Sequence, residues 1–282
     1  MKLNLNDVTV CAIDSVNMAL SARALHLTMA QCDFADAILF SHVPVEGAFR
    51  TVVIENLNSL AAYQFFSVKR LPALIATPFV LVVQWDGYVI NPRAWNPSFR
   101  EYDYIGARWF HFGDSMSVGN GGFCLRSRKL LAALNDPRFT ADGTMPDDVL
   151  ICRTFRPALE RESGIRFAPE AVADQFAYEG IVPNQPTFGF HGMGNMWRHV
   201  EDAEMIKLVD LLAPYVYRTS HYARLMVMYF LLRKFDPLTV LYSKLIAHAG
   251  RDEILQMIKQ NHGSDKLALN CVTMCERLLR QS

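Results

Sequence analysis

FVLVVQWDG, residues 79–87, decides the fold. It opens with five apolar residues in a row, three of them valine, and ends on an acidic residue followed by glycine. An unbroken β-branched run of that length reads as a strand covered on both faces, the pattern of a parallel sheet inside an α/β protein. The wider apolar stretch, residues 71–85, carries Pro72 and Pro78. It is shorter than the roughly 20 apolar residues a membrane-spanning helix needs.

Working outward from this strand, residues 8–13, 37–40 and 51–54 are further short β-rich runs, and 18–32 and 58–68 have helical apolar spacing. Strands alternating with helices predict a mainly parallel sheet flanked by helices. Beyond it, residues 104–109 and 122–125 read as strands separated by HFGDSMSVGNG. Residues 128–134 read as a short helix. Residues 147–162 read as a longer one, begun by Pro146 and the pair Asp147-Asp148 and ended by Gly164; acidic residues in a first turn suit the helix dipole. Residues 165–168 and 187–191 read as short strands. From residue 201 the pattern becomes wholly helical, at 205–217, 221–234, 238–249, 253–260 and 266–280. The expectation is therefore a catalytic-type α/β domain over 1–200 and a helical C-terminal region over 201–282.

Of the 282 residues, 51% are hydrophobic and 20% charged, with 28 basic against 28 acidic side chains. A neutral chain of this apolarity is neither a disordered segment nor a basic nucleic-acid binder. The balance is a sum of unlike parts. From residue 201 onward Lys and Arg number 11 against 9 acidic residues, leaving 17 against 19 before it. The first residues, MKLNLNDVTVCAID, show no basic stretch followed by an apolar one, so no secretory leader is read. The six cysteines form no CxxC pair; Cys271 and Cys275 share a helix face and read as core thiols. Free thiols and no leader point to the cytoplasm. Residues 222–230, YARLMVMYF, with Arg218, Arg224, Arg233 and Lys234 around them, read either as a packed helix or as a peripheral contact with an anionic membrane face.

In open α/β sheets ligands bind outside the carboxyl ends of the strands. Asp14-Ser15 follows the first strand, Trp85-Asp86-Gly87 the deciding one, and His191-Gly192 the last. A carboxylate leaving a buried strand is placed to hold Mn2+ or Mg2+ together with substrate phosphates; Asp86 could equally be a turn residue. His191 reads as a ligand or as a hydrogen-bonded loop histidine. Gly119-Asn120-Gly121-Gly122 reads as a close backbone approach or a tight hairpin. Of the acidic pair, Asp147 reads as the helix cap, leaving Asp148 to face a cleft as a general base. There is no GxSxG, HExxH, P-loop or GxGxxG string, which sets aside the hydrolase and dinucleotide-binding classes those motifs carry. A nucleotidyltransferase would carry a basic glycine-rich loop where Asp14-Ser15-Val16-Asn17 stands.

Six strings occur in order: VVQWDGYVINP at 82–92, YDYIGARW at 102–109, VGNGGFCLRSRKLL at 118–131, PDDVLICR at 146–153, RFAP at 166–169 and FGFHG at 188–192. Together they resemble a family of predicted glycosyltransferases with the GT-A fold, over residues 8–197. The resemblance implies a nucleotide-sugar donor bound at the ends of the first strands, through Asp14, Ser15, Asn58, Gln84 and Trp85. It implies a divalent cation, Mn2+ or Mg2+, at Asp86 and His191, although the family's Asp-x-Asp reads Gln84-Trp85-Asp86 here. It implies an acceptor-side loop of Asn120, Gly121 and Gly122 with Asp147, and Asp148 as the base of an inverting transfer. The acceptor would be a hydroxyl of a glycan, a lipid-linked sugar or another molecule. A transferase-like module that binds nucleotide sugars without turning them over is the alternative, suggested by Gln84.

Overall fold

The computed structural model describes residues 2–181 and 184–281. The chain forms two compact units, Met1–His191 and Gly192–Ser282.

The first unit is built on a six-stranded sheet of order β3-β2-β1-β4-β6-β5. The strands are β1 (Leu3–Ile13), β2 (Cys32–Ser41), β3 (Arg50–Val53), β4 (Phe79–Val83), β5 (Tyr104–Gly106) and β6 (Phe123–Ser127). The first four are mutually parallel, and β6 runs antiparallel to both β4 and β5. Residue 79–83 is thus the covered strand its composition predicts. Val80 and Val82 join Cys11 and Cys124 in one core layer, while Leu81 and Val83 join Val10, Phe123 and Leu125 in the other. The fold class expected from the sequence is the one observed, a mixed and mainly parallel sheet flanked by helices.

Helix α1 (Met18–Gln31) connects β1 to β2. The helix expected at 58–68 starts later and runs further, as α2 (Leu60–Phe65), a π segment Phe66–Arg70 and α3 (Leu71–Leu74). After β6 come α4 (Arg128–Ala133), α5 (Asp147–Val149), a π segment Leu150–Thr154, α6 (Arg156–Ser163) and α7 (Glu170–Phe176). The single helix expected over 147–162 is therefore interrupted. Pro157 has no amide hydrogen, so Leu150–Thr154 widens to i→i+5 bonding and α6 restarts with proline in its first turn. The strand expected at 165–168 reduces to one bridge between Tyr104 and Phe167. The strand expected at 187–191 is two residues long: β7 (Ala177–Tyr178) pairs in parallel with β8 (Gly189–Phe190).

The second unit is helical, as the sequence predicts. It holds α8 (Asp202–Val209), α9 (Ser220–Leu231), α10 (Phe235–Ile246), α11 (Arg251–His262) and α12 (Asp265–Leu279). In α9 the residues Tyr222, Ala223, Leu225, Met226, Val227 and Tyr229 are fully buried. Most of the apolar stretch that suggested a membrane contact is thus taken up in packing. Cys271 and Cys275 are likewise buried free thiols. Among the described residues no helix is long and apolar enough to cross a membrane.

Candidate active site at the carboxyl end of the sheet

Strand β1 has parallel neighbours on both sides, β2 on one and β4 on the other. The chain leaves β1 for β2 and later returns to β4, which opens the crevice where α/β sheets bind ligands. Asp14-Ser15 lies at the β1 side of it and Gln84-Trp85-Asp86 at the β4 side.

Two reciprocal backbone bonds, Gln84 N to Gly87 O at 3.1 Å and Gly87 N to Gln84 O at 3.0 Å, close a tight turn with Trp85 and Asp86 at its tip. Asp86 is therefore both a turn residue and a strand-end carboxylate, with 8% of its surface exposed. Its Oδ1 lies 3.4 Å from Nε2 of His191. Gln84 Oε1 lies 3.2 Å from the same nitrogen, while its Nε2 donates to Tyr63 Oη at 3.2 Å. The imidazole is reached because its neighbours have no side chains. A Cβ on Gly122 would sit 2.0 Å from His191 Nε2, and one on Gly87 2.9 Å from its Cδ2.

The other ring nitrogen faces a residue the sequence reading missed. Glu179 Oε1 is 3.1 Å from His191 Nδ1, and Asn120 Nδ2 donates to Glu179 Oε2 at 2.7 Å. Burial works against a charge on His191, but Asp86 and Glu179 outweigh it and hold the imidazole well above its ordinary range. A signal for Glu179 was present in the sequence: AYEG at 177–180 and GFHG at 189–192 each place a titratable residue between an apolar pair and a glycine.

The loop 120–122 links this cluster to Asp148. Asn120 takes a positive φ of 65°, which asparagine tolerates better than most residues. Its carbonyl accepts from Tyr104 Oη at 3.1 Å. The next residue, Gly121, donates its amide to Asp148 Oδ2 at 2.8 Å, and Asp148 Oδ1 accepts from Val149 N at 2.8 Å. Burial, and then the charge of Asp147, outweigh these bonds and push the Asp148 carboxyl up to about 6.

Asp147 is not the helix cap it was expected to be. Pro146 precedes α5, and the Asp147 side chain makes no cap bond. It turns inward to Arg126, whose Nη2 donates to Asp147 Oδ2 at 2.9 Å, and accepts from Ser67 Oγ at 2.5 Å. Arg126 is fully buried, with Nη1 donating to Ser67 Oγ at 2.9 Å. A buried guanidinium needs a carboxylate, and that demand outweighs a solvent-side cap.

The remaining candidates lie around the crevice. Asp14 closes the turn that leads into α1, accepting from Val16 N, Asn17 N and Ser21 Oγ at 2.5–2.7 Å. Ser15 Oγ accepts from Leu57 N at 3.1 Å, tying β1 to the loop in which Asn58 is exposed. Trp85 is half-buried at the turn. The structure thus gathers Gln84, Asp86, His191, Asn120, Gly121, Gly122 and Asp148, sets Asp147 beneath them, and leaves Asn58 on the outer loop.

A profile described as "Protein of unknown function (DUF5672)" matches residues 48–191. The chain belongs to the DUF5672 family. All the residues just gathered fall inside the matched DUF5672 segment. No curated protein matches the chain. Solved structures that are similar include an active-site mutant of LgtC, 11% identical with a TM-score of 0.42, over 72% of this chain and 94% of that one. A glycosyltransferase involved in the glycosylation of the major capsid of PBCV-1 is 12% identical with a TM-score of 0.36, over 65% and 93%. The mannosyltransferase PcManGT from Pyrobaculum calidifontis, in complex with GDP-Man and Mn2+, is 11% identical with a TM-score of 0.42, over 98% and 79%.

Proposed function

We propose that this DUF5672 chain transfers a sugar from a nucleotide diphosphate sugar to an acceptor hydroxyl, with inversion and with help from Mn2+ or Mg2+. One juxtaposition supports this most. The backbone that packs on His191 through Gly122 also donates to Asp148 through Gly121. A carboxylate suited to take up a proton therefore stands beside a carboxylate–imidazole pair suited to a cation.

Among the described residues no three His, Cys, Asp or Glu side chains form a complete metal cage. The donors present nonetheless fit a cation completed by substrate. Asp86 Oδ1 and Gln84 Oε1 both lie within 3.4 Å of His191 Nε2, and Mg2+ and Mn2+ take oxygen and imidazole donors together with phosphates. When bound, such a cation offsets the charge of the departing diphosphate.

The remaining roles fall to the chain's own groups. Asp148 accepts the acceptor's proton as its oxygen attacks. A carboxylate suffices because the proton moves late, when the anomeric carbon is already cation-like. Direct attack by the acceptor oxygen, on the face opposite the departing diphosphate, inverts the centre. Asp14, Ser15, Asn58, Gln84 and Trp85 line the donor side, and Asn120, Gly121 and Gly122 the acceptor side. Asp147 acts through Arg126 and through its charge on Asp148. Six buried free thiols suit the reducing cytoplasm. A glycan or a lipid-linked sugar would serve as acceptor.

The test is a screen of nucleotide sugars for hydrolysis and transfer, with and without Mn2+, using Asp148→Asn as the control. Turnover by the wild type that the variant lacks supports the reading; its absence across the screen sinks it. The second reading is a nucleotide-sugar-binding module without catalysis. Gln84, where a second carboxylate would strengthen the hold on a cation, favours it. Saturable binding of a nucleotide sugar without turnover would establish it.

A further inference from the structure

Resting on the assignment of Asp86 and His191 as cation ligands, we propose that Glu179 is the positioning residue of the site: it fixes the His191 ring so that Nδ1 carries the proton and Nε2 is presented to the cation. The placement comes from strand register. Ala177–Tyr178 pairs with Gly189–Phe190, and His191 N donates to Tyr178 O at 2.9 Å. The residues that follow the two strands, Glu179 and His191, are thereby brought side by side across twelve positions of chain.

Each part of the carboxylate has a defined partner. Oε2 is held by Asn120 Nδ2 at 2.7 Å, and Oε1 stands 3.1 Å from His191 Nδ1, which Asn120 Nδ2 also approaches at 2.9 Å. An imidazole that ligates a cation is neutral and has one N–H. When Glu179 takes it at Nδ1, the lone pair is at Nε2, on the side of Asp86 and Gln84. Metal-binding histidines are held this way by an outer carboxylate, and losing it costs about 10–100-fold in affinity. Asn120 is thus tied to the cation side through Glu179 and by its own contact with His191 Nδ1, beyond its place in the acceptor loop.

The experiment measures Mn2+ binding to the whole protein by electron paramagnetic resonance, with Mn2+ as the probe and pyrophosphate present throughout to supply the phosphate oxygens that complete the site. Wild type is compared with Glu179→Gln, and Asp148→Asn is the control. Nitrogen-15 spectra of the His191 ring are recorded on wild type saturated with Mg2+. The expected result is a roughly 10–100-fold loss of Mn2+ affinity in Glu179→Gln at unchanged melting temperature, none in Asp148→Asn, and a proton on Nδ1 of His191 in wild type. If wild type binds Mn2+ and Glu179→Gln binds it equally, the positioning role is overturned while the cation assignment stands. If wild type does not bind Mn2+, the cation assignment falls and the role with it. A proton on Nε2 in the Mg2+-saturated protein overturns the role even if the variant fails to fold.

Discussion

The amide of Gly121 points at Oδ2 of Asp148 from 2.8 Å, so the carboxylate is aimed by a backbone donor and not by a flexible side chain. The loop segment carrying that donor is itself pinned, by Tyr104 at the Asn120 carbonyl and by Glu179 at the Asn120 amide. Replacing Asp148 by Asn keeps the shape and removes the base. Transfer is expected to fall by about 10²–10⁴-fold with the fold intact, checked by turnover and circular dichroism. Normal turnover in the variant removes Asp148 from the role.

The same carboxyl gives a pH dependence with a definite sign. A base must be ionised, and Asp148 stands at about 6. Turnover is expected to level off above about pH 7 and to decline about tenfold per unit well below 6. The profile of kcat/KM between pH 5 and 8 checks this, and a flat profile contradicts it.

Stability moves the opposite way. The folded-state value lies above the ordinary 3.8, so the folded protein binds the proton more tightly than the unfolded chain. That contribution is fully present below about pH 4 and is lost as pH rises through about 6. Asp148→Asn loses one of the two acceptors that face the Gly121 and Val149 amides at every pH, so the test is the change with pH. Relative to that variant, wild type is expected to lose on the order of 1–2 kcal/mol between pH 4 and pH 8 for a partly screened group, as read by urea unfolding at both pH values. A difference that does not change with pH would show that another group sets it.

Gly122→Ala tests the close approach. The added methyl would meet His191 Nε2 at 2.0 Å, so the ring must swing away from Asp86. We expect Mn2+ affinity to drop at least tenfold while the melting temperature falls by only a few degrees. Undiminished Mn2+ binding would show that the ring's position is not needed for the cation.

Arg126→Met leaves Asp147 buried without its cation. Removing one member of a buried pair costs about 3–5 kcal/mol, and equilibrium unfolding should show a loss of that size. Arg126→Met combined with Asp147→Asn should recover part of it. A double variant no more stable than the single one would mean that the pair is not what stabilises this part of the core.

The sheet was legible because strand 79–83 has one reading, an apolar run with both faces covered. The candidate side chains at strand ends were legible for the same reason, since the ends of such strands are where polar residues reappear. The role of Asp147 was not. Helix-dipole reasoning sees the two acidic residues and the proline, but the deciding partner, Arg126, is 21 residues away on β6 and looks like a surface cation in the sequence. Glu179 escaped because its strand is two residues long, below the length at which alternation is visible. The π segment at Leu150–Thr154 escaped because helical apolar spacing looks the same on either side of Pro157, which interrupts the helix.

The direction of β6 has a consequence for how the site can vary. Val83, the last residue of β4, pairs with Phe123, the first of β6. Because β6 is reversed, the exit of one strand and the entrance of the other share a single rim. The 84–87 turn and the 120–122 loop are thereby tethered to adjacent ends of one hydrogen-bonded ladder. Inserting a residue in the exposed stretch from 110 to 115 can lengthen the path between them without separating them. Inserting one inside either strand would slide the turn against the loop and turn the following side chains to the other face. The exposed stretch from 110 to 115 is therefore where this protein can accumulate change, and the ten residues of the two strands, with β5 beside them, are where it cannot.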